Sequence, residues 1–564
     1  MIVGIDLGTT NSAVAIWRDG AASLVPNRLG ERLTPSAVSI DGERIIVGRA
    51  ARDRQVTHPD QTATNFKRLM GTDRKVTLGK REFGAEELSA LVLRSLKEDA
   101  EALLGEPVTE AVITVPAYFN DRQRKATRRA GQLAGLTVER LVNEPTAAAL
   151  AYGIHQLDDQ SRFLVFDLGG GTFDVSVLEI FEGIIEVRAS TGDNRLGGED
   201  FNELLMAAML DRFKARWGDR PGNALSQRLR DAAERARRQL SQADSAAMAL
   251  TWQDETFAMD ISAAEFETLA APLIARLRDP VLRSLRDSNI HPDSLSDVVL
   301  IGGTTRMPLV KKVVARMFGR FPNTSINPDE AVALGAAVQA GLKSRDAALK
   351  EVVLTDVCPY TLGVDIAQRL RGGQWEDGVF APIIERNTTV PVSRMGRFQT
   401  MVDNQSHVEF GIYQGEARMV AENIKIGSIR VKVPRGAAGI PVDCRFSYDI
   451  NGLLEVDVSV PGSGEQAQLV ITDPADDIAP AELARRRAAL AALKVHPRDG
   501  EANRAALARA ERCWQDALGE KREYVGQLIA QFQAVLETQD PRQAEQARQQ
   551  LEEALDAVEG PRFL

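Results

Sequence analysis

Two short turns, far apart in the chain, each place an aspartate and glycines directly after an apolar run. The first turn, 6–10 (Asp-Leu-Gly-Thr-Thr), follows the run 2–5, and the second, 167–172 (Asp-Leu-Gly-Gly-Gly-Thr), follows the run 163–166. Alternating β-branched residues come after both turns. This pattern predicts that each turn joins two strands, so that both aspartates lie at hairpin tips.

Turns of this kind suit the binding of phosphate. Glycine has no Cβ, so successive backbone N–H groups can converge on an anion, and threonine hydroxyls add further donors. The carboxylates of Asp6 and Asp167 would repel phosphate, which predicts a magnesium ion between them, bound through water and phosphate oxygens. Ordinary turn chemistry explains either motif alone. The duplication favours two facing tips that hold one triphosphate.

A third glycine turn, 302–308 (Gly-Gly-Thr-Thr-Arg-Met-Pro), follows the apolar run 298–301. Its backbone could approach a nucleoside, and the guanidinium of Arg306 could stack on a base. No P-loop pattern occurs, and we expect none of the glycine runs to follow a strand and open a helix. Both expectations argue against the P-loop and dinucleotide-binding folds.

Four segments together resemble the DnaK-type, seventy-kilodalton heat-shock chaperones, and most closely their short bacterial HscC-like branch. The segments are GIDLGTTNS (4–12), NEPTAAALAYG (143–153), FDLGGGTFDVS (166–176) and IGGTTRMP (301–308). The resemblance implies a multidomain fold with an α/β actin-like ATPase domain, an all-β sandwich peptide-binding domain and a short α-helical lid. It also implies an ATP-dependent chaperone whose ATP hydrolysis is coupled to the binding and release of extended, hydrophobic segments of unfolded proteins.

The pattern along the chain agrees with that order of domains. Residues 1–346 alternate apolar runs with amphipathic helices, for example 85–103 and 224–240, as in a layered α/β domain. Short alternating runs in 357–472 indicate the sandwich. Residues 473–564 read as helices, with a helix at 480–494, a break at 497–500 and a last helix that ends near Gly560. An apolar stripe, predicted to be a bundle core, links these residues: Leu507, Trp514, Leu518, Val525, Leu528 and Phe532.

Residues 347–356 form the predicted interdomain linker, with an apolar triplet between two acidic residues. An edge strand of either neighbouring domain explains the triplet equally well. In the resembled family this segment docks on the ATPase domain in one nucleotide state and is released in the other. The residues that match coupling positions of the family are Pro116, Arg124, Arg140, Val352, Val353, Leu354 and Asp356.

Composition limits the classes of function. The chain has 564 residues, a formal net charge of -10 and 44% hydrophobic residues, which fits several soluble domains and argues against a nucleic-acid binder. Cys358, Cys444 and Cys513 are isolated from one another, so they are predicted to be small core residues. Because no signal peptide or membrane-spanning run is evident, we expect a cytoplasmic protein without a membrane partner.

The resemblance also assigns roles to single residues. The lysine that orients the attacking water matches Lys67, although its surroundings in the sequence are typical of a surface lysine. Glu144 matches the glutamate beside that water, although a helix-capping role explains it too. Asp6, Asp167 and Thr172 complete the implied catalytic set. Asp6 and Asp167 would hold hydrated Mg²⁺, and Asp174 together with Asp6, Asp167 and Thr172 matches the potassium-binding group of the family.

Further matches concern ATP or ADP and the peptide. The residues that match nucleotide-binding positions are Gly8, Thr9, Thr10, Asn11, Gly169, Gly170, Gly171, Thr172, Gly197, Gly198, Glu234, Arg237, Arg238, Ser241, Gly302, Gly303, Thr304, Arg306 and Asp329. The residues that match the peptide groove are Leu362, Val364, Ala367, Phe398, Met401, Val408 and Phe410. Core packing in the sandwich is the alternative role for each apolar groove residue. Ala367 and Met401 match the arch over the peptide, in the reverse order of small and bulky residues found in DnaK.

The resemblance implies three kinds of partner. These are unfolded or extended polypeptides, a J-domain co-chaperone and a nucleotide exchange factor. Because the stretch 242–262 is shorter than in DnaK, we expect fast spontaneous ADP release and doubt the need for the exchange factor. A small-molecule kinase or a filament-forming protein on the same actin-like core is the alternative function, but neither explains the residues after 350.

Overall fold

The computed structural model describes residues 1–152, 161–181, 184–217, 222–344, 353–369, 374–450, 452–471, 487 and 496–559. Val352 of the predicted linker and nearly all of the helix predicted at 480–494 lie outside the described residues. The predicted domain limits at 346, 356 and 472 therefore stay predictions. Among the described helices, none combines the length and the apolar character that crossing a bilayer requires.

The first part of the chain folds around one mixed sheet. Its elements are β1 (Ile2–Asp6), β2 (Asn11–Arg18), β3 (Ala21–Leu24), β4 (Thr34–Pro35), β5 (Ala37–Asp41), β6 (Arg44–Val47), α1 (Arg49–Thr57), β7 (Thr62–Thr64), β8 (Lys75–Leu78), β9 (Arg81–Gly84), α2 (Ala85–Leu104), β10 (Glu110–Val115), α3 (Asp121–Leu133), β11 (Thr137–Asn143) and α4 (Glu144–Ala151). The strand order is β11-β10-β1-β2-β3, with β4 beside β2. β1 pairs antiparallel with β2 and parallel with β10, so the turn after Asp6 is the hairpin tip that the sequence predicts.

The second part repeats this arrangement around another sheet. Its elements are β12 (Ser161–Leu168), β13 (Phe173–Phe181), β14 (Ile184–Asp193), α5 (Gly198–Arg212), α6 (Lys214–Trp217), α7 (Asn223–Gln239), β15 (Ser245–Trp252), β16 (Glu255–Ser262), α8 (Ala263–Asp287), β17 (Asp297–Ile301), α9 (Pro308–Phe318) and α10 (Ala331–Lys343). β12 pairs antiparallel with β13 and parallel with β17. The predicted second hairpin tip is therefore confirmed, and the two sheets share one pattern of pairing.

Local sequence explains the ends of these elements. α2 begins after Gly84, whose N–H donates to Glu87 Oε2 at 2.6 Å, and it ends at Gly105, which has a φ of 71°. The third glycine turn differs from the sequence expectation. Gly302 directly follows β17 and opens a 3₁₀ turn that leads into α9, so this turn does join a strand to helical structure.

The linker region forms a strand, β18 (Val353–Val357), that extends the second sheet beyond β14. β18 pairs parallel with β14 in the register Ile184↔Val353, Ile185↔Leu354 and Glu186↔Thr355. Its last two residues pair antiparallel with a strand that follows later in the chain, at Thr389–Val390. The described part of the linker is thus a strand of the second sheet, paired with β14 over 353–355 and with the later strand over 356–357.

The residues after β18 form two antiparallel sheets that face each other. Their strands are β19 (Leu362–Arg369), β20 (Trp375–Ile384), β22 (Val392–Gln399), β23 (His407–Gln414), β24 (Ile424–Lys432), β25 (Pro441–Tyr448), β26 (Leu454–Ser459) and β27 (Gln466–Ile471). The short β21 (Thr389–Val390), between β20 and β22 in the chain, pairs with β18 instead. The strand orders are β20-β19-β23-β24 and β22-β25-β26-β27. Apolar residues from both sheets form one core, which confirms the predicted sandwich. All three cysteines are buried and free, as predicted.

Three helices end the described chain: α11 (Glu501–Asp516), α12 (Glu520–Glu537) and α13 (Pro541–Glu559). They share a small apolar core that includes Val525 and Phe532. The predicted stripe is wrong at two positions, because Trp514 is 42% exposed and Leu518 is 77% exposed. The helical structure is interrupted at 517–519, between α11 and α12. Residues before and after this interruption therefore do not follow one helical period.

Candidate functional site

The two aspartate-bearing tips face each other closely. A Cβ built on Gly170 would lie 1.9 Å from Thr10 Oγ1, and one built on Gly171 would lie 2.7 Å from Thr9 Cγ2. No side chain larger than glycine fits at these points of approach. The glycines of the second tip thus allow the threonines of the first tip to come within contact distance.

A cavity of about 960 Å³ opens between the two sheets at these tips. All three glycine turns and α7 contribute to its walls. The predicted site residues that line it are Asp6, Gly8, Thr9, Thr10, Asn11, Lys67, Glu144, Asp167, Gly169, Gly170, Thr172, Gly198, Glu234, Arg237, Arg238, Ser241, Gly302, Gly303, Thr304, Arg306 and Asp329. Gly171, Gly197 and Asp174 are not among the lining residues. The volume is suited to a nucleotide-sized ligand.

A buried ion pair lies in the wall of the cavity. Lys67 Nζ is 2.9 Å from Glu144 Oε1, and the two side chains are 4% and 9% exposed. Lys67 sits on a 3₁₀ turn that follows Asn65, which has a φ of 57°, and Glu144 opens α4 directly before Pro145. The sequence environment of Lys67 suggests a surface position, but the side chain is buried. Glu144 makes no cap hydrogen bond with its side chain; it holds the lysine instead.

Three carboxyl groups meet near this pair, and burial changes their ionisation. Burial, with Glu144 nearby, raises the pKa of Asp6 to about 7 and that of Asp174 to about 8. Burial also raises the pKa of Asp167 well above its usual range, with contributions from Glu144, Asp174 and Asp6. Burial thus disfavours the charged form of all three carboxyl groups, and a bound cation would favour it again.

The surroundings of these carboxyl groups fit a hydrated cation. The Oδ2 atoms of Asp167 and Asp174 are buried without a hydrogen-bond partner. Among the described residues, no three His, Cys, Asp or Glu side chains are arranged to ligate one ion directly. Mg²⁺ commonly keeps several waters and binds through one or two carboxylates together with substrate phosphates. The orphaned oxygens therefore suit an ion that is held partly through water.

The opposite wall of the cavity carries a cationic cluster. Arg237 Nε donates to Asn202 Oδ1 at 2.8 Å, and Arg306 Nε lies 2.7 Å from Asp329 Oδ2. Glu234 on α7 pairs with Arg52 Nη2 at 2.7 Å. Burial alone would raise the pKa of Glu234, but its cationic neighbours outweigh burial and lower it.

The residues of the cavity region that were missed in the sequence include Arg52 and Arg68. Arg52, on α1, joins the first part of the chain to α7 of the second. Arg68 Nη2 lies 2.6 Å from Asp200 Oδ2, and the same oxygen accepts the N–H of Gly197 at 2.7 Å. Arg68 is next to Lys67, which was a usable signal. Arg52 has no local signal, because its partner lies 182 positions away.

Two of the predicted coupling residues, Arg124 and Asp356, are joined by hydrogen bonds through Asn143. Asn143 Nδ2 donates to Asp356 Oδ2 at 2.6 Å, and Arg124 Nη2 donates to Asn143 Oδ1 at 2.7 Å. Arg124 also donates to the carbonyls of Ala117 and Phe119, in the turn that begins at the buried Pro116. Burial lowers the pKa of Arg140, and the nearby Asp356 opposes that effect. Nothing is described of Val352 or of the side chains of Val353 and Leu354.

The groove residues divide into two groups. Leu362, Val364 and Phe410 are at most 3% exposed and belong to the sandwich core. Phe398, whose ring centroid lies 5.1 Å from that of Phe410, and Val408 are partly buried against that core. Ala367 is partly exposed. Met401, by contrast, is 40% exposed and stands next to Val402, which is 60% exposed.

Comparison with known proteins gives matches along nearly the whole chain. The Hsp70 protein family matches residues 2–78 and 73–561. The protein named Chaperone protein DnaK of Thermotoga petrophila is 43% identical over 487 residues, which cover 84% of this chain and 80% of that protein. The proteins of the same name from Thermotoga maritima and Thermotoga neapolitana are similar to the same extent, with 43% identity over 487 residues.

Proposed function

The chain belongs to the Hsp70 family and is an ATP-dependent chaperone, and we propose that the contact between Asp356 and Asn143 couples its ATPase site to its peptide groove. Members of the family are ATPases that bind ATP or ADP with Mg²⁺. The kinase and filament alternatives are not favoured, because the family match continues to residue 561. Clients of the chain are unfolded polypeptides, and J-domain proteins are its class of co-chaperone.

One observation carries the proposed coupling. Asn143 binds Asp356 of the docked linker, and the next residue, Glu144, binds Lys67 inside the nucleotide cavity. Because the two residues are consecutive at the start of α4, a shift of the linker strand moves the Lys67–Glu144 pair directly. A ligand at either site can then favour the same arrangement, and the coupling is reciprocal.

Further contacts hold the sandwich against the ATPase part of the chain. Tyr360 Oη donates to the carbonyl of Tyr118 at 2.9 Å. The side chain of Arg386 lies 2.8 Å from Asp287. These contacts support a docked state in which the position of the sandwich depends on the nucleotide cavity. Release of the linker would break all of them together.

We assign hydrolysis to residues of the cavity. Lys67 orients the attacking water and balances the charge that develops on the phosphate, and Glu144 fixes Lys67 in place. Thr9, Thr10 and Thr172 donate to phosphate oxygens. Mg²⁺ held through Asp6 and Asp167 would neutralise the phosphates. We also propose that K⁺ binds beside Asp174, because its Oδ2 is buried without a partner.

The peptide groove is proposed to run beside Met401. Exposed apolar residues at 401–402, directly after the Phe398 end of β22, offer a surface that an extended segment could cover. Ala367 would face Met401 across the peptide. The buried Leu362, Val364 and Phe410 would then form the floor of the groove and not its rim.

The short stretch after α7 supports independence from an exchange factor. β15 and β16 form a hairpin with a two-residue turn, Gln253–Asp254, in which both residues have positive φ. This leaves little surface for an exchange factor to bind, so we propose fast spontaneous ADP release. We also propose that the chain belongs to an HscC-like branch. We also propose a cytoplasmic location and a J-domain contact at Arg140.

Slow release of a fluorescent ADP analogue that a GrpE-like nucleotide exchange factor strongly accelerates would refute the proposal of fast ADP release.

The coupling proposal is tested with Asp356→Asn and Asn143→Ala in the full chain. Each variant should reduce the acceleration of peptide release by ATP roughly fivefold, since each loses one charge-assisted hydrogen bond. Because both residues belong to one contact, the double variant should be no worse than either single variant. Additive losses, or full acceleration in Asp356→Asn, would contradict the proposal. The exposed Asp377→Asn in the sandwich serves as a control.

A further inference from the structure

The turn between α12 and α13 lies against the free edge of the sandwich. β22 ends the sheet β22-β25-β26-β27, so one side of it has no neighbouring strand. Gln539 occupies this side. The N–H of Met395 donates to Gln539 Oε1 at 3.0 Å, and Gln539 Nε2 donates to the carbonyl of Met395 at 2.9 Å. The side-chain amide thus makes the two hydrogen bonds that a paired strand residue would make.

The turn that presents Gln539 is well defined. Asp540 accepts the N–H of Arg542 at 2.9 Å and caps the start of α13. Gln539 has a φ of 55°, a left-handed conformation that glycine adopts at lower cost. A glutamine in this position is explained by what its side chain does, because the backbone alone favours glycine. The outlier therefore points to a docking role.

The same turn also touches the second sheet of the ATPase part. Arg542 Nη1 forms an ion pair with Glu186 Oε1 on β14. Glu186 is the residue that lies opposite Thr355 in the pairing of β14 with the linker strand β18. Within four residues, the turn thus binds both the edge of the sandwich and the strand on which the linker is docked.

We propose that Met395 of β22 and Glu186 of β14 form one composite docking surface, and that its occupant is the α12–α13 turn of the same chain. The turn can bind both halves of this surface only while β18 holds the sandwich beside β14. The C-terminal helices therefore stabilise the docked linker, a role separate from covering the peptide groove. The proposal does not depend on the Asp356–Asn143 contact.

The two halves of the surface contribute unequally. The pair of hydrogen bonds from Gln539 is partly buried and satisfies backbone groups that an edge strand otherwise leaves to solvent. The Arg542 side chain is 54% exposed, and exposed ion pairs contribute little. Removal of Gln539 should therefore weaken docking of the turn more than removal of Arg542. The contribution of Arg542 is the contact with β14, the strand that pairs with the linker.

The test is amide hydrogen exchange on the intact chain, with and without ATP. Gln539→Ala should increase exchange of segment 392–399 and of the linker strand 353–357 by roughly fivefold. Gln543→Ala, which alters a side chain in the same turn that binds only Asp540, at 3.1 Å, is the matched control and should change neither segment. If Gln539→Ala leaves exchange of 353–357 unchanged, the proposal is wrong.

A second variant separates docking from the stability of the turn itself. Gln539→Gly removes the docking amide but suits the left-handed backbone, so it should keep α12 and α13 intact while still exposing both segments. Normal exchange of the two segments in Gln539→Gly would overturn the proposal. Arg542→Ala and Glu186→Gln should each raise exchange of 353–357 about twofold, and the double variant should add nothing further. Additive effects would also overturn it.

Discussion

The two aspartate hairpins share their topology but differ at one cross-strand position. In the first hairpin Asp6 lies opposite Ala13, whereas in the second Asp167 lies opposite Asp174. Both hairpins have a parallel strand on the outer side, β10 and β17. The second hairpin thus carries a pair of buried carboxyl groups where the first carries one, which makes it the half that depends more on a cation.

The two sheets also differ at their other edges. The first sheet continues from β2 to the four-residue β3, where it ends. The second continues from β13 to the ten-residue β14, which is long enough to receive the linker strand. The two halves therefore differ in function. The first supplies the Lys67–Glu144 pair, and the second binds the linker strand.

The largest expected effect concerns the pair on the first half. Lys67→Ala should lower ATP turnover by at least about 100-fold, because a preorganised charge beside the phosphate is lost. ATP affinity, measured by calorimetry, should change little. Loss of the lysine leaves Glu144 buried without its partner. Glu144→Gln, which removes that charge, is therefore measured as a second variant. The exposed Lys80→Ala is the control. Retained turnover in Lys67→Ala would remove the lysine from the mechanism.

The next effect concerns the linker edge of the second half. Leu354→Pro removes a backbone N–H and fixes φ in β18, which should weaken its pairing with β14. We expect the acceleration of peptide release by ATP to fall at least roughly fivefold, while ATP still binds. Leu354→Val, which favours a strand, should behave like the parent chain. An unchanged response in Leu354→Pro would mean that strand pairing of the linker is not needed for coupling.

A pH experiment tests the paired carboxyl groups of the second hairpin through Asp174. Asp174 has a folded pKa of about 8, above its unfolded value, so the folded chain binds more protons. This contribution to stability is complete below about pH 4 and is lost as the pH rises towards 8, by at most about 1.4 kcal/mol per pH unit. Asp174→Asn should make the fall in Tm of the metal-free chain with rising pH shallower. The exposed Asp293→Asn should not, and equal slopes for all three chains would contradict the assignment.

The smallest expected effect concerns the contact that joins the two halves across the mouth of the cavity. Arg52→Ala removes the partner of Glu234, and both side chains are about one-fifth exposed, at 22% and 19%. We expect ADP release, followed with a fluorescent analogue, to quicken by roughly two- to fivefold. Arg18→Ala, whose side chain is 63% exposed, is the control. Unchanged release would show that this contact does not limit opening.

Local patterns predicted much of this fold. Each hairpin tip has its strand, turn and return strand within about twenty consecutive residues, and α2 and α7 match the predicted helices within one residue at each end. Such features depend on neighbouring residues, so the sequence contains their full signal. The sandwich strands were found for the same reason.

Contacts between distant segments could not be predicted in this way. Lys67 is buried only because Glu144, 77 positions later, folds back against it. Gln539 reads as a polar residue in an exposed turn, and nothing near it indicates Met395, 144 positions earlier. The fully buried Phe410 shows the converse case, since an apolar residue in an alternating strand fits a core and a ligand groove equally well.

In the layer between the two sheets, glycines allow the backbones of neighbouring elements to pack closely. A Cβ on Gly335 of α10 would lie 1.6 Å from the carbonyl oxygen of Ala147 on α4, and one on Gly4 of β1 would lie 2.2 Å from the N of Ala337. The backbones of α4 and α10, and those of β1 and α10, are therefore in direct contact. A single methyl group at Gly335 or Gly4 would push these elements apart. The spacing between the two sheets is therefore limited by backbone contacts that tolerate no added carbon.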